Sequence, residues 1–216
     1  VAQLAGSVSE RSAYHHGEQN LSTTITTMAN SYVGSNNIPL LFRDGQYGSR
    51  AEGGADAAAG RYIFTKLDAM TRLIFREEDD CLLEHIEDDG EKVEPKYYVP
   101  IIPMVLVNGC KAGIGTGWAS AIPCYNPLDL IECIKAWLEN GNKAFDTDED
   151  SGITVSLLPE IKPWYRGHKG RLEQLGEGSY MSWGVMDKDD KGKIHVTELP
   201  VGMWTSEFTK RLESLK

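Results

Sequence analysis

Gly48-Ser49-Arg50-Ala51-Glu52-Gly53-Gly54-Ala55-Asp56-Ala57-Ala58-Ala59-Gly60-Arg61-Tyr62 leads from a run of small residues straight into a guanidinium and a phenol side by side. A tyrosine hydroxyl, with an ordinary pKa of ~10, is only about 0.1% phenolate at neutral pH and needs help to act as a nucleophile. A neighbouring guanidinium gives that help. It stabilises the phenolate and the negative charge that grows on a phosphoryl group under attack, and it stays protonated throughout. The pairing suits covalent phosphoryl transfer. The same dipeptide at the head of Tyr62-Ile63-Phe64-Thr65 is also an ordinary strand start, so the flanking sequence has to decide between the two readings.

Upstream, Leu21, Ile25, Met28, Ala29 and Tyr32 recur at a helical period and predict an amphipathic helix over residues 17–33, with Thr23, Thr24 and Thr27 on its polar face. Residues 38–42 and 46–48 around Arg43-Asp44-Gly45 read as a short hairpin, the Asp-Gly pair supplying the turn. Asp56 is placed to cap a short turn before Gly60, residues 62–65 read as strand, and Asp68 caps a helix to Phe75 with Met70, Leu73 and Ile74 inward. Beyond Tyr97 the pattern turns to strands, at residues 97–100, 104–107, 153–158, 171–175, 180–186 and 193–199. Residues 128–139 are the one clear helix there. The acidic, Gly- and Asn-containing piece at 140–152 reads as a mobile loop.

The 216 residues, 41% hydrophobic and 25% charged, have the composition of a folded globular chain of one or two domains. No apolar run approaches the ~20 residues that cross a bilayer, which gives no membrane partner. Cys81, Cys110, Cys124 and Cys133 lack paired spacing, so neither a zinc ribbon nor a redox motif is indicated, and reduced thiols are expected. The net charge of −10 argues against phosphate contacts when summed over the chain. Acid is concentrated, however, in residues 77–80, 87–94 and 146–150, while residues 14–66 are nearly balanced.

Three motifs in order carry the functional reading: Ser12-Ala13-Tyr14-His15-His16-Gly17-Glu18-Gln19, then Arg61-Tyr62, then Leu106-Val107-Asn108-Gly109-Cys110-Lys111-Ala112-Gly113-Ile114-Gly115-Thr116-Gly117-Trp118. With Val33-Gly34-Ser35-Asn36-Asn37-Ile38, Ile102-Pro103-Met104, Ile122-Pro123-Cys124-Tyr125-Asn126-Pro127, Lys162-Pro163-Trp164-Tyr165-Arg166-Gly167 and Thr197-Glu198-Leu199-Pro200, the chain resembles the breakage-reunion region of a eukaryotic-type type IIA DNA topoisomerase over nearly its whole length. The histidine pair and the Trp-Tyr-Arg-Gly segment favour that subgroup over a bacterial-type gyrase.

The resemblance implies an α+β fold: a winged-helix domain bearing the active tyrosine, residues 1–100 and truncated at its N-terminus, followed by part of a tower domain, residues 101–216. It implies a piece of a longer, nuclear, homodimeric enzyme acting on double-stranded DNA. Mg2+ and ATP would be bound by domains outside this chain, the metal on the carboxylates of a TOPRIM domain, and the isolated piece would be inactive. Tyr62 would attack a DNA phosphorus and form a 5′-phosphotyrosine, Arg61 would stabilise the attacking oxygen and the phosphoryl, and His16 would position the phosphate or relay a proton. Two adjacent histidines can also merely begin a helix. No third metal-ligand type sits at useful spacing, so no metal site is expected.

His15, Arg50, Gly53, Gly54, Ile114, Lys169 and Arg171 are the candidate DNA contacts. Glycines at 53 and 54 would let the backbone approach phosphate, or simply belong to a flexible loop. Ile114 would be the wedge that enters a base step and bends the duplex, unstacking costing a few kcal/mol per step; alternatively it is a core residue, though its flanking glycines favour a protruding tip. The Gly113-Ile114-Gly115-Thr116-Gly117 run lacks the βα context of a nucleotide loop. Lys169 and Arg171 follow Trp164, Tyr165 and Arg166, which read either as a DNA flank or as a core Trp with a solvated basic edge. Three departures from the family pattern stand out: Ala55 in place of a common lysine, Gly60 in place of a side chain, and one extra residue before Ile114. A non-catalytic DNA-binding or interaction module of the same fold is the competing reading.

Overall fold

The structure, a computed structural model, describes residues 1–141, 145–147 and 154–215. In chain order the elements are α1 (Ala2–Arg11), α2 (Glu18–Ala29), a 3-10 turn (Gly60–Tyr62), α3 (Thr71–Ile74), a second 3-10 segment (Glu77–Leu82), β1 (His85–Asp88), β2 (Glu91–Pro95), α4 (Met104–Val107), β3 (Cys110–Gly115), β4 (Trp118–Ile122), α5 (Pro127–Asn140), β5 (Phe145–Thr147), β6 (Thr154–Ser156), β7 (Leu172–Gly176), β8 (Ser179–Ser182), β9 (Val185–Lys188), β10 (Ile194–Glu198) and α6 (Thr205–Glu213). The strands pair as antiparallel hairpins of consecutive neighbours, β1 with β2, β3 with β4, β5 with β6, β7 with β8 and β9 with β10. Mixed helix and strand is therefore the observed class.

The chain divides into two compact units, Val1–Ile101 with Gly167–Lys216, and Ile102–Arg166. Residues 167–216 thus group with the first unit.

The core of the first unit joins Val1 and Ala5 of the α1 region, Leu21, Ile25 and Ala29 of α2, and Leu41, Tyr47 and Ile63 from the connecting chain. Leu21, Ile25 and Ala29 lie at i, i+4 and i+8, the stripe that the sequence periodicity predicts; Met28 stays 38% exposed. The hairpin expected at 38–48 does not form. Phe42 N–H donates to Lys66 O at 2.9 Å, and Asp44 and Phe64 exchange hydrogen bonds of 3.2 and 2.9 Å, so this segment pairs with residues 64–68 instead. The reason is Tyr47. Its ring is fully buried and its hydroxyl donates to Phe64 O, which draws residues 46–48 into the core rather than along a neighbouring strand.

Asp56 likewise does not cap a following turn: it accepts the Ser49 N–H and hydroxyl, both at 2.8 Å, and closes the loop backwards. Those bonds hold its carboxyl below the usual range. Asp68 does support the next helix, accepting Met70 N–H at 3.0 Å, but α3 is a single turn that buries Thr71 and Ile74 while Met70 and Leu73 face solvent.

In the second unit Ile102, Val107, Cys124 and Leu130 are buried. Residues 104–107 are helical, not strand: Pro103 at the N-cap presets the backbone, and its carbonyl accepts both Leu106 and Val107 N–H. Asn126 caps α5, its side chain accepting Leu128 N–H at 3.0 Å with Pro127 at the first helical position. Tyr125 and Pro163 bridge, and Cys124 O accepts Trp164 N–H at 2.7 Å. All four cysteines are free thiols, and burial pushes Cys124 up to about 11.

Residues 97–100 form no strand, residues 180–186 divide between β8 and β9, and α6 lies beyond the elements that the sequence pattern predicts. The loop expected at 140–152 lies largely outside the described residues; within it Phe145–Thr147 is β5. No described helix is long and apolar enough to cross a membrane.

Candidate functional site

Arg61 and Tyr62 share one 3-10 turn, entered from an extended Ala59 whose carbonyl accepts the Tyr62 N–H at 2.9 Å. Ile63, 1% exposed, then plunges into the core, and the turn leaves Tyr62 64% exposed beside it. The Arg61 guanidinium lies 4.8 Å from the centre of the Tyr62 ring, a cation–π contact that holds charge and phenol together at the surface. A nucleophile needs this exposure. Gly60 has no positive φ, and a side chain there would meet Val1 Cγ1 at 3.4 Å, ordinary contact, so the turn does not depend on glycine.

His15 and His16 are exposed, on a segment tied to the β1–β2 hairpin: His15 Nε2 stands 3.7 Å from an Asp88 carboxylate oxygen, and Ala13 N–H donates to Glu94 at 2.9 Å. The Ala13 bond holds the Glu94 carboxyl below its usual range. His16 packs edge-on against Tyr14, ring centres 5.5 Å apart, and Tyr14 leans on the core. Among the described residues no contact joins His16 to Tyr62.

The small-residue run is held by protein contacts. Arg50 donates to the carboxylate of Glu198 and, at 3.0 Å, to Leu199 O; Glu198 also accepts Lys169 N–H and Leu199 N–H, each at 3.0 Å. The Glu198 side chain is 3% exposed and that of Arg50 26%, so the cation expected on phosphate is spent on a buried carboxylate. Gly53 has φ +62°, and a Cβ there would stand 2.3 Å from Trp204 Nε1; at Gly54 it would stand 2.9 Å from the Tyr32 hydroxyl. What approaches these glycines closely is Trp204 and Tyr32.

Behind this loop lies a groove of about 500 Å³ between α2 and residues 53–60, lined by Gln19, Ser22, Thr23, Thr26, Thr27 and Asn30 on the helix side. Thr23 and Thr26 donate to carbonyls one turn back, at 2.9 and 2.8 Å, leaving their oxygens as acceptors. Asn30, 3% exposed, has an Oδ1 with no hydrogen-bond partner. Polar residues at steps of three and four from 19 to 30 are the sequence signal for this face; of the polar face expected from the sequence, Thr23 and Thr27 line the groove and Thr24 does not.

The basic-aromatic stretch 164–171 divides between the units. Lys169 is exposed. Arg171 lies 4.6 Å from the centre of the Trp183 ring and 3.5 Å from Glu173, which accepts the Trp183 indole N–H at 2.9 Å. In the second unit Ile114 pairs with Ala119 on the β3–β4 hairpin and is 88% exposed, which excludes a core role; Trp118, paired with Gly115, is 83% exposed. Trp118 is not among the sequence candidates, since nothing in its local pattern separates an exposed from a buried Trp. Among the described residues no group of three or more His, Cys, Asp or Glu could hold a metal ion, and the acid run pairs locally, Asp80 with Arg72 at 2.7 Å and Glu78 with Arg76 at 3.0 Å.

The profile of the DNA gyrase/topoisomerase IV family, in its A-type subunit, matches residues 1–216. The chain belongs to this family. Among its relatives, the DNA topoisomerase 2 of Plasmodium falciparum is 48% identical over 216 residues, all of this chain and 14% of that protein. That of Arabidopsis thaliana is 46% identical over 220 residues, again covering all of this chain and 14% of the relative. That of Bombyx mori is 49% identical over 213 residues, 98% of this chain and 13% of the relative. A crystal structure of the Plasmodium falciparum topoisomerase II DNA-binding, cleavage and re-ligation domain superposes with a TM-score of 0.88 at 47% identity, covering all of this chain and 27% of that one. These relatives, all topoisomerases 2 of eukaryotes, put the chain with the eukaryotic-type members. The chain spans about a seventh of their length.

Proposed function

We propose that this chain is the tyrosine-bearing DNA-gate segment of an ATP-dependent type II DNA topoisomerase that acts on double-stranded DNA as a homodimer in the nucleus. The observation that carries the reading is Tyr62, 64% exposed on a 3-10 turn with the Arg61 guanidinium against its ring, in a chain similar end to end to a DNA-cleavage domain. Residues 1–100 serve as the winged-helix domain and residues 101–216 as part of the tower.

The Tyr62 phenolate oxygen forms a bond to a DNA phosphorus as the bond to the 3′ oxygen breaks; the departing 3′ oxygen takes up a proton to become a hydroxyl and the 5′ end stays on the tyrosine. One phosphodiester replaces another, so religation is the same step reversed and needs no ATP. Arg61 offsets the charge on the attacking oxygen and the phosphoryl. His16, carried on the segment braced by Tyr14 and Glu94, positions the phosphate or passes the proton. The groove beside the turn, lined with hydroxyl and amide oxygens, takes the strand leading to Tyr62, with His15, Lys169 and Arg171 as outlying contacts. Ile114 enters a base step and bends the duplex.

The acid run does not fit a catalytic metal, since Asp80 and Glu78 are exposed and paired with Arg72 and Arg76 and no group of three or more His, Cys, Asp or Glu among the described residues could hold one; the Mg2+ and the ATP of the proposed enzyme are assigned to parts outside this chain. Tyr62→Phe in the full-length enzyme tests the proposal: detergent-trapped covalent adducts disappear while duplex binding persists. Adducts at the parent level would move the nucleophile elsewhere, Tyr14 being the next candidate.

A further inference from the structure

The β3–β4 hairpin carries two highly exposed large apolar side chains, and they are on opposite faces. Cross-strand partners share a face of a ribbon, so Ile114 with Ala119 lies on one side and Trp118 with Gly115 on the other. Ile114 is 88% exposed and Trp118 83%, and no partner for the Trp118 indole N–H exists among the described residues. A Cβ added at Gly115 would meet nothing within 4 Å, so the strand beside Trp118 leaves its indole unobstructed. These are the most exposed Ile and Trp among the large apolar side chains: Trp137 is 50% exposed, Trp204 packs on Tyr32, and Trp183, 41% exposed, lies under Arg171 and donates to Glu173.

Charge identifies the occupant. Residues 96–128 contain no Asp or Glu, although the chain has 32 acidic residues, and Lys111 stands at the base of this hairpin. A polyanion can approach this tip without meeting a carboxylate from these residues, whereas the rest of the sequence is strongly acidic. Shape agrees, since a two-stranded ribbon fits a widened DNA groove.

We propose that Trp118 is a second DNA-contact residue of this hairpin. It packs its indole on the sugar–phosphate wall of the groove that Ile114 enters and donates its Nε1–H to a backbone oxygen. The inference rests on the wedge reading of Ile114 given above. Ile114 alone would open a base step; Trp118, on the reverse face, braces the ribbon against the groove wall and holds the bend once made. It is a positioning residue, distant in role from the bond-making atoms.

The test uses the full-length enzyme and a duplex labelled at both ends, with Trp118→Ala, Trp118→Phe and Ile114→Ala compared with the parent. Energy transfer reports the bend, and the parent-minus-Trp118→Phe difference in tryptophan emission reports contact at this residue. Saturating duplex is expected to quench that difference signal. Trp118→Ala is expected to bind about five- to tenfold more weakly and to bend less, with Trp118→Phe recovering most of the bend through its ring. Near-native circular dichroism of each variant separates these losses from misfolding. A difference signal untouched by saturating duplex, with Ile114→Ala still losing the bend, overturns the Trp118 contact and leaves the wedge standing. A quenched signal with an unchanged bend in Ile114→Ala and reduced bend in Trp118→Ala overturns the wedge and supports the indole contact. Loss of neither bend nor signal overturns both.

Discussion

Removing the Arg50 guanidinium, Arg50→Ala, separates two roles for the small-residue run. The Glu198 carboxylate is nearly sealed, 3% exposed, and accepts from Arg50, Lys169 N–H and Leu199 N–H. Deleting one partner of a fully buried pair costs about 3–5 kcal/mol, because a charge is left in a poor solvent. Here two backbone N–H groups remain, and Arg50 is itself 26% exposed, so water reaches the vacated side. The expected loss is therefore smaller, about 2–3 kcal/mol. For a unit of this size that is a Tm lower by roughly 4–12 °C. Because Ser206 N–H donates to Ala51 O at 3.0 Å, the damage should spread to the start of α6 and appear as faster amide exchange in both segments. Urea unfolding and hydrogen exchange measure it, with duplex affinity recorded alongside. A variant within 0.5 kcal/mol (roughly the limit of an ordinary surface substitution) that nonetheless binds DNA much more weakly would refute the structural role and return Arg50 to phosphate.

Acid sensitivity comes from the same cluster. The His168 side chain is 3% exposed, 3.7 Å from Glu198, and burial holds its pKa below the usual 6.5. Above that value it is neutral folded or unfolded and costs nothing; as pH falls through it, only the unfolded chain gains a proton freely, so stability declines. Burial alone would raise Glu198, but the Arg50 bond and its other partners bring it below 4.5, so its contribution is present above 4.5 and is lost only as pH falls further. Urea midpoints between pH 8 and 5 should fall on the acid side, and His168→Gln should flatten that first stage; parallel profiles for parent and variant would contradict it. Gly53→Ala should destabilise by about 2 kcal/mol or more, since φ is +62° and the new Cβ would collide with the Trp204 indole, and should redshift Trp204 emission as the ring is displaced. An unchanged midpoint and spectrum would mean the loop relaxes freely.

Much of the helical core is legible in the sequence because it is local. Leu21, Ile25 and Ala29 announce their shared face within twelve residues, and the Asn126-Pro127 cap announces α5. The hairpin expected at 38–48 has equally good local credentials in its Asp-Gly turn. It loses to the burial of Tyr47 and to pairing with residues 64–68, partners some twenty residues away that no turn signal encodes. The Arg61-Tyr62 pair is legible as adjacent residues whose chemistry is unusual together, and the structure adds what adjacency cannot: exposure, and the guanidinium on the ring face.

The residues whose neighbours the sequence hides share a physical cause that bears on function. Arg50, Gly53 and Gly54 have the composition of a phosphate-binding loop, and their actual neighbours are Glu198, Trp204 and Tyr32, up to 151 positions away in Gly53–Trp204. A loop held by a nearly sealed ion pair and by close-packed glycines resists displacement, and it leads directly to the turn that bears Tyr62. Covalent catalysis by an exposed phenol requires its oxygen to be placed against phosphorus within a fraction of an ångström, yet exposure itself deprives the side chain of packing that would fix it. The fixed element must then be the backbone beneath. If Tyr62 is the nucleophile as proposed above, the role these residues would play is one step back, holding the turn beneath it still, and loss of Arg50 is then expected to lower the rate of adduct formation through motion of that turn even where duplex affinity is kept.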